Sequence, residues 1–576
     1  MVLPARLARL AFALALLSIV LAAPAAASAQ LPKLNAGFSP HPTPRLNEQR
    51  ALALFLADQK VADWLDRYPP GRSSSATFDR ARGQWKAHVW SGEAGEIATG
   101  LVDDASGEGV EAWTGPQVAW KMARGGHGAF GGKVLDSAPV WFGLCGVFLL
   151  GLADLRRPLS LRNLDLLVLI SFSASLWFFN RGEIFTSVPL AYPPLVYLLA
   201  RTAWIGFRRR ALPPWRPLWP VWVLAATTVF LAGFRIGLNV EAPRGVIDVG
   251  LASVVGADRI LDGQAPYGHM PVRGDRPPCG KADADGDIRE RIQTNGRCEA
   301  AVETGDTYGP SVYLAYLPAT AVFGWSGRWD SLPAAHATAI AFDLVTMLGL
   351  VLVGRRLGGT PLAVALAFGW AAFPFTAYTL NSNSNDPVMP AALVWGFWLA
   401  SSPWARGGAA AIAGWAKFSA LLVAPLWGTY PSGLQRRTLL RFAGGFAAAT
   451  VALFSILLLE PNLIDALRTF GKRTLEYQLD RESPFSLWDW GQYHARGIPN
   501  LSALQTLLQV GVLALAGVAA AVPRRKGPLE LAALTAAVLL AFELVLPHWF
   551  YLYLPWLLPF VLMALFLQQR DAYAAS

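Results

Sequence analysis

The stretch Glu241-Ala-Pro-Arg244-Gly-Val-Ile-Asp248 opens a polar interval, residues 240–308, in a sequence that is otherwise dominated by apolar runs. Apolar segments flank this interval on both sides. Ordered loops of such length are uncommon in compact proteins and are usually functional. We therefore expect the polar interval, rather than the apolar runs around it, to carry the residues on which the activity depends.

The composition is that of an integral membrane protein. Of the 576 residues, 54% are hydrophobic and only 15% are charged, which is typical of membrane chains rather than soluble ones. The formal net charge of +10 would also suit a nucleic-acid-binding protein. Its excess of Arg and Lys, however, lies in short loops between apolar runs, as the positive-inside rule describes. We therefore expect a membrane as partner and no nucleic acid.

Eleven apolar runs have lengths near the ~20 residues that a bilayer requires, so the expected fold is a mostly α, polytopic membrane protein with a small exported α+β domain at its N-terminus. The predicted spans are 139–153, 164–180, 184–205, 218–238, 334–354, 361–380, 387–402, 439–459, 501–522, 529–546 and 549–567. Two further runs, 309–325 and 407–429, are interrupted by Pro and by Gly414-Trp-Ala-Lys417 respectively.

The distribution of basic residues predicts the orientation. The clusters at 155–162, 208–216, 436–441 and 524–526 fall on one side, which we assign to the cytoplasm together with the C-terminus. This assignment requires runs 309–325 and 407–429 to enter and leave on the same face as re-entrant hairpins; the alternative is that both cross. It places the 240–308 loop, residues 381–386, residues 460–500 and Pro547-His548 outside the plasma membrane.

The N-terminal part is predicted to be exported. Residues 1–29 have the basic start, apolar centre and small-residue end of a signal peptide, with an uncleaved anchor as the alternative. Residues 30–135 form an α+β domain, with helical spacing over 45–66 and strands at 85–90, 96–102 and 110–113. The piece Leu101–Trp113 resembles the hairpin of PepSY-type domains, which implies regulation or binding. Residues 136–217 hold the first membrane helices.

The loop contains two of the three cysteines. Cys279 and Cys298 are expected to form a disulfide if the loop is exported, with two free thiols as the alternative. Asp283-Ala-Asp285-Gly-Asp287 resembles a calcium loop, but its Gly comes too early and Thr294 stands where the closing Glu belongs. We favour a solvated turn there and assign no metal site.

Asp248 stands at the start of a segment with helical spacing. Over residues 249–262, Val249, Ser253 and Ile260 share one face and the acids another, which predicts an amphipathic helix lying on the membrane surface. Asp248 would then lie where water meets lipid. The alternative is that it merely caps the helix.

Several short elements resemble the GT-C superfamily of integral-membrane glycosyltransferases. An Asp after an early span is followed by Gly263-Gln-Ala-Pro-Tyr267 and Tyr308-Gly-Pro310, and later by Asn385-Asp386, Ala416-Lys417-Phe418 and Arg481-Glu-Ser-Pro-Phe-Ser-Leu-Trp488. The resembling region is 218–576, with the extracytoplasmic loop at 239–308. Two departures are that Asp248-Val249 replaces the usual acid–aromatic pair and that the long loop carries its own cysteine pair.

The resemblance implies an inverting transfer of a sugar from a polyprenyl-phosphate donor to an envelope glycan, lipid or protein. Asp248 would be the general base, and Asp306 is a second candidate acid whose alternative role is in a turn. The leaving phosphate needs cations or donors. The candidates are Arg244, Lys417, Arg481 and His494.

Lys417 is the most informative of these candidates, because a lysine inside an apolar run is rare; its alternative is to reach an interface. The expected substrate-binding residues are Tyr267, Tyr308, Asn385 and Asp386. No cofactor is implied, although a divalent metal stays open. The competing functions are a transporter or lipid flippase and a non-catalytic membrane anchor.

Overall fold

The computed structural model describes residues 43–80, 82–124, 130–208, 213, 215, 217–242, 244–281 and 288–567. The predicted signal peptide and the calcium-like run 283–287 lie outside these residues.

The N-terminal domain is a four-stranded antiparallel meander with helices on it. The strands β1 (Ser73–Asp79), β2 (Gln84–Trp90), β3 (Glu96–Asp103) and β4 (Gly109–Thr114) pair in sequence order. The helices are α1 (Glu48–Leu56), α2 (Gln59–Leu65) and α3 (Pro116–Arg124). The single helix expected over 45–66 is two helices, because Asp58 caps a new one by accepting from the Val61 N–H at 3.2 Å. Strand β1 was not predicted; the PepSY resemblance stays a prediction.

The remainder of the described chain is predominantly helical. In order, its helices are α4 (Ala138–Leu152), α5 (Leu161–Phe179), α6 (Ile184–Arg208), α7 (Val221–Glu241), α8 (Asp248–Leu261), α9 (Pro310–Phe323), α10 (Pro333–Ala372), α11 (Pro374–Asn381), α12 (Val388–Trp398), α13 (Pro403–Gly414), α14 (Ala424–Gly428), α15 (Arg436–Phe454), α16 (Leu463–Gly471), α17 (Tyr477–Asp480), α18 (Ser502–Ala521), α19 (Pro528–Val545) and α20 (Leu554–Phe566). A short pair of strands, β5 (Glu290–Ile292) and β6 (Cys298–Ala300), lies between α8 and α9.

Six helices in the described ranges are long and apolar enough to cross a bilayer: α5, α7, α10, α15 with the turn that continues it to Leu459, α18 and α19. The structure therefore supports a multi-pass membrane protein, while the prediction of eleven spans is not confirmed. Part of the difference is that α10 covers the predicted run 334–354 and also the first part of 361–380, whose remainder is α11. The backbone of α10 leaves the helical conformation at Gly358 and Gly359, so α10 is two helices joined at a bend.

A buried ion pair links two of these helices. Arg235 of α7 donates to Asp343 of α10 at 2.5 Å, and the same carboxylate accepts from the Trp370 indole at 2.8 Å. Asp343 lies inside the predicted span 334–354, so this acid has a partner on a neighbouring helix. Charges in such surroundings persist only when paired and hydrogen-bonded.

The run 407–429 returns to the side from which it starts. The Arg406 guanidinium donates to the Trp427 carbonyl at 2.7 Å and to the Tyr430 carbonyl at 2.7 Å, so both ends of the run lie together. Lys417, midway along the run, lies against Asp386 at the other end of α12. This geometry is that of the expected hairpin.

The run 309–325 is a single short helix rather than a hairpin. Helix α9 has 14 residues, about 21 Å of helix, against a hydrocarbon core of about 30 Å. The loop precedes it, and just after it the Gly327 carbonyl accepts from the Ala300 N–H of the same loop at 2.7 Å. Both ends of α9 therefore lie beside the loop, as a non-crossing segment requires.

The segments that were assigned to the outside meet one another. Asn239, at the end of α7, donates to the Asn383 side chain at 2.8 Å, and the Ile247 N–H donates to the Ser382 carbonyl at 3.2 Å. The N-terminal domain is on this side too, because the Arg496 N–H donates to the Arg67 carbonyl at 3.1 Å. The segments that were assigned to the outside therefore pack together at one end of the helices.

The prediction that residues 249–262 lie as an amphipathic helix on the membrane is wrong. Every residue of α8 from Gly250 to Arg259 is buried by protein. The charged groups at its C-terminal end pair with the loop: Arg297 contacts Asp258 at 2.7 Å and Asp262 at 2.6 Å, and Arg259 pairs with Glu299. These ion pairs hold the end of α8 against β6.

Candidate functional site

A cavity of about 1930 Å³ opens where the outer segments meet the helices. Residues from the loop, from the 381–386 turn, from the hairpin at Lys417, from the 475–485 segment and from 545–556 line it. It therefore collects side chains that are far apart in the sequence, which is the usual form of a ligand site.

Asp248 lines this cavity from the first turn of α8, where Ile247 is the N-cap. Two glycines let α8 approach its neighbours closely. A Cβ on Gly250 would lie 2.3 Å from the Asn383 carbonyl, and one on Gly256 would lie 2.2 Å from the Tyr313 ring. The position of Asp248 is therefore fixed by the close packing of α8 at Gly250 and Gly256, where a larger residue would not fit.

The electrostatic surroundings of Asp248 suit a base. Its side chain reaches the water of the cavity, yet the enclosing protein raises the pKa of its carboxyl above the ordinary value through burial, while Arg481 and Lys417 act in the opposite direction. A carboxylate with a raised pKa is a better proton acceptor than an ordinary one.

Lys417 is held by a carboxylate and two aromatic rings. Its ammonium lies 3.0 Å from Asp386, 5.0 Å from the centre of the Tyr308 ring and 5.6 Å from that of Trp556. The Trp556 indole also donates to Asp386 at 3.2 Å. Because Asp386 balances its charge, Lys417 belongs to a neutral pair, which explains how a lysine is kept in an apolar run.

Arg481 makes its side-chain hydrogen bond to a histidine rather than to a carboxylate. Its guanidinium donates to His548 Nε2 at 3.4 Å, which leaves the proton of a neutral imidazole on Nδ1, 2.8 Å from the Ser483 hydroxyl. Burial, with the charges of Arg481 and Lys417, holds the pKa of His548 well below its ordinary value. Arg481 therefore keeps its positive charge available to a ligand.

Part of the cavity lining is apolar, and we call this part the apolar branch. It comprises Leu422, Leu475 and Leu479, together with Val512 and Leu513 of α18. Leu479 is 83% exposed and Leu513 61% exposed in the absence of a membrane. Exposed apolar side chains at the border of a cavity are what an opening toward lipid would present.

The structure places Asp306 elsewhere. This carboxylate is fully buried, accepts from the Arg473 guanidinium at 2.7 Å and from the Gly268 N–H at 2.8 Å, and does not line the cavity. Tyr267 is buried beneath Tyr308, to whose carbonyl its hydroxyl donates at 3.1 Å. Both residues close the loop onto the helices rather than face a ligand.

Two other predicted residues are also outside the cavity lining. Asn385 is buried and donates to the Ser253 hydroxyl at 3.1 Å, which fixes the 381–386 turn to α8. His494 lies 3.8 Å from Glu93 of the N-terminal domain. By contrast, the predicted residues Arg244, Tyr308 and Asp386 do line the cavity.

The predicted disulfide is confirmed, since Cys279 and Cys298 are bonded. Cys298 lines the cavity, so the bond holds part of the cavity wall. In the described ranges, no three His, Cys, Asp or Glu side chains are grouped as a metal ion would require.

Trp556, Trp329 and His548 were not predicted from the sequence as residues of the site. All three line the cavity. A lone histidine after a span has no local signal, and a tryptophan near a span end is typical of the membrane interface. The one available signal for His548 was its place directly after a predicted span, at the end that the basic residues assign to the outside.

A family model described as glycosyltransferase family 87 matches residues 307–547, less than half of the chain. The match contains Tyr308, Asp386, Lys417 and Arg481 of the cavity, whereas Asp248 and the disulfide loop precede it. No curated protein and no solved structure matches the sequence. The match and the helical membrane fold together support a membrane glycosyltransferase.

Proposed function

We propose that the protein is an inverting glycosyltransferase that takes a sugar from a polyprenyl-phosphate donor. The observation that carries this proposal is the meeting of Asp248, Arg481 and Lys417 in one cavity that also has an apolar branch. A lipid-linked sugar phosphate requires these features together: an apolar channel for the chain, cations for the phosphate, and a base for the acceptor hydroxyl.

The apolar branch would hold the isoprenoid chain. Its borders at Leu479 and Leu513 are exposed at the side of the helices, so the donor would enter from the bilayer without leaving it. Burying each CH₂ group of the chain contributes about 0.8 kcal/mol. The donor phosphate would then bind at the charged side chains of the cavity, beyond the end of the apolar branch.

Arg481 would bind the leaving phosphate. Lys417 already has a carboxylate partner at 3.0 Å, whereas the Arg481 guanidinium has a neutral imidazole at 3.4 Å. Arg481 can therefore present N–H donors to a phosphate in the planar arrangement that such pairs favour. Lys417, Asp386 and Tyr308 would position the sugar near it.

Asp248 would take the proton of the acceptor hydroxyl. The acceptor oxygen forms a bond to the anomeric carbon while the bond from that carbon to the phosphate oxygen breaks. The electron pair leaves with the polyprenyl phosphate, and the hydroxyl proton passes to the Asp248 carboxylate. A single displacement of this kind inverts the anomeric centre.

The placement in the cell follows from the same proposal. The basic clusters assign the cavity and the N-terminal domain to the extracytoplasmic face of the plasma membrane, with the C-terminus in the cytoplasm. The acceptor would be an envelope glycan, lipid or protein. The N-terminal domain, whose hairpin resembles PepSY-type domains, would be accessory, because none of its residues that the structure describes supplies a charged side chain to the cavity.

Reconstitution tests the proposal. Purified protein in liposomes is supplied with polyprenyl-phosphate sugars labelled in a hexose or a pentose, together with cell-envelope extract as acceptor. We expect label to move from the lipid to the acceptor fraction. Movement of the labelled lipid between leaflets, with no label transferred from any donor, would contradict the proposal and favour a flippase.

A further inference from the structure

The cavity has a second, polar wall that the mechanism above does not use. Its side chains are Arg244, just before α8; Arg289, between the two bonded cysteines; and Arg328, Trp329 and Asp330, in the turn between α9 and α10. We call these five residues the polar wall. Four of the five side chains are charged, so this wall is unsuited to a lipid chain.

Trp329 occupies a fixed position beside the proposed base. Its indole N–H donates to the Val246 carbonyl at 2.8 Å, two residues before Asp248. The Arg289 guanidinium lies 5.5 Å from the centre of its ring. Arg328 and Asp330 are paired at 2.5 Å on either side of Trp329 in the sequence. One guanidinium thus lies over the Trp329 ring, and a charged pair adjoins Trp329 in the chain.

The disulfide holds this wall in place. The Ala300 N–H of β6 donates to the Gly327 carbonyl at 2.7 Å, and Cys298 precedes it in the same strand. A Cβ on Gly327 would lie 2.1 Å from the Cys298 carbonyl, and its φ of +83° favours glycine. The turn that carries Trp329 is therefore packed directly on the cysteine-bonded strand.

From this arrangement we infer that the polar wall is the acceptor subsite and that the acceptor is a saccharide. A pyranose ring has a face of C–H groups, which stacks on an indole, and a rim of hydroxyls, which hydrogen-bonds to guanidinium and carboxylate groups. A ring on Trp329 would direct a hydroxyl to Asp248. The inference rests on the proposed function and narrows its acceptor from glycan, lipid or protein to glycan.

Binding without turnover tests this assignment. The D248N variant in nanodiscs is mixed with mannotetraose, maltotetraose or cellotetraose, and saturation-transfer difference NMR is recorded, with acyclic sorbitol as the reference polyol. We expect saturation of the ring C–H protons of at least one tetrasaccharide. W329A should reduce it at least fivefold, whereas W329F, which keeps an aromatic face, should retain most of it.

The matched control is W222A, which removes an exposed tryptophan on α7 and should leave the signal unchanged. Equal saturation in W329A, or none from all three tetrasaccharides, would overturn the assignment. The outcomes separate it from the proposed function: sugar transfer by the wild type without an effect of W329A refutes only the subsite, and saccharide binding without any transfer refutes only the reaction.

Discussion

Asp248 and Asp306 stand near the two ends of the same outer loop, yet their surroundings differ completely. Asp248 reaches the water of the cavity and faces Arg481 and Lys417 without an ion-pair contact in the described structure. Asp306 is fully buried and joined to Arg473 at 2.7 Å. One carboxylate is thus available to a substrate, and the other is occupied in closing the loop.

This difference shows that residue type and position in the sequence do not distinguish a reactive carboxylate from a structural one. The two are distinguished by the side chains that other segments of the chain place beside each carboxylate. The apolar hairpin and the 475–485 segment bring cations toward Asp248, while α16 and the turn after it bring Arg473 to Asp306.

The largest expected effect comes from D248N. The amide cannot accept a proton, so transfer should fall about 10²–10⁴-fold with thermal stability nearly unchanged. Initial rates of sugar transfer measure this. The matched control is E241Q, an exposed acid at the end of α7, which should keep the wild-type rate. Loss of transfer in both variants would show that the effect is not specific to Asp248.

The second effect concerns the charge that faces Asp248. R481Q removes a donor to the leaving phosphate and should lower kcat about 10²–10³-fold. Asp248 must be ionised to act, so kcat/KM should fall as the pH drops through its pKa, which burial raises. Removing the positive charge of Arg481 should move this acidic limb to higher pH.

The control for R481Q is R468Q, which alters an exposed arginine of α16. Rates measured from pH 4 to 8 should give R468Q the wild-type profile. An acidic limb that stays in place in R481Q would mean that Arg481 does not act on the titrating base.

D306N should reduce stability more than activity. It leaves Arg473 without its carboxylate partner, and the free energy of unfolding should fall by about 1–3 kcal/mol, toward the lower end because Arg473 is 38% exposed. Thermal unfolding in detergent measures the loss. Transfer per folded molecule should stay within a few-fold of wild type. A stable but inactive D306N would reverse the roles of the two carboxylates.

The smallest effect is on the donor chain. L513N places an amide in the apolar branch and should raise the KM for a long-chain donor about fivefold, the equivalent of roughly 1 kcal/mol of lost burial. A donor with one isoprene unit should be unaffected. L508N, on the same helix but outside the cavity lining, should behave as wild type with both donors. Equal effects on both donors would show that the isoprenoid chain does not bind in the apolar branch.

Much of this arrangement could be predicted from the sequence at charged residues that lie within apolar runs. Lys417 is a charge in an apolar run, and the structure gives it a carboxylate and two aromatic rings. Asp343 is an acid in a predicted span, and it has a buried arginine partner. In each case the cost of an unpaired charge in an apolar environment required a partner, whose identity the pattern left open.

What could not be predicted depends on contacts between distant segments. The spacing of 249–262 indicated a membrane-surface helix because its charges appeared to face water, whereas Arg297 and Glu299 of the disulfide loop cover them. Asp306 was a second candidate acid in the sequence, and its contact with Arg473 at 2.7 Å, which no local pattern indicated, gives it a structural role. Local periodicity describes one helix, and these outcomes depend on how the long loop folds back.

The role of Asp248 as a base is tested most directly by removing its carboxylate and supplying a nucleophile that has no proton to lose. In D248A with a polyprenyl-phosphate sugar, added azide should restore release of polyprenyl phosphate and yield a glycosyl azide of inverted anomeric configuration, while R481Q with azide should stay slow. Turnover of D248A that azide leaves unchanged, or a glycosyl azide of retained configuration, would contradict the account.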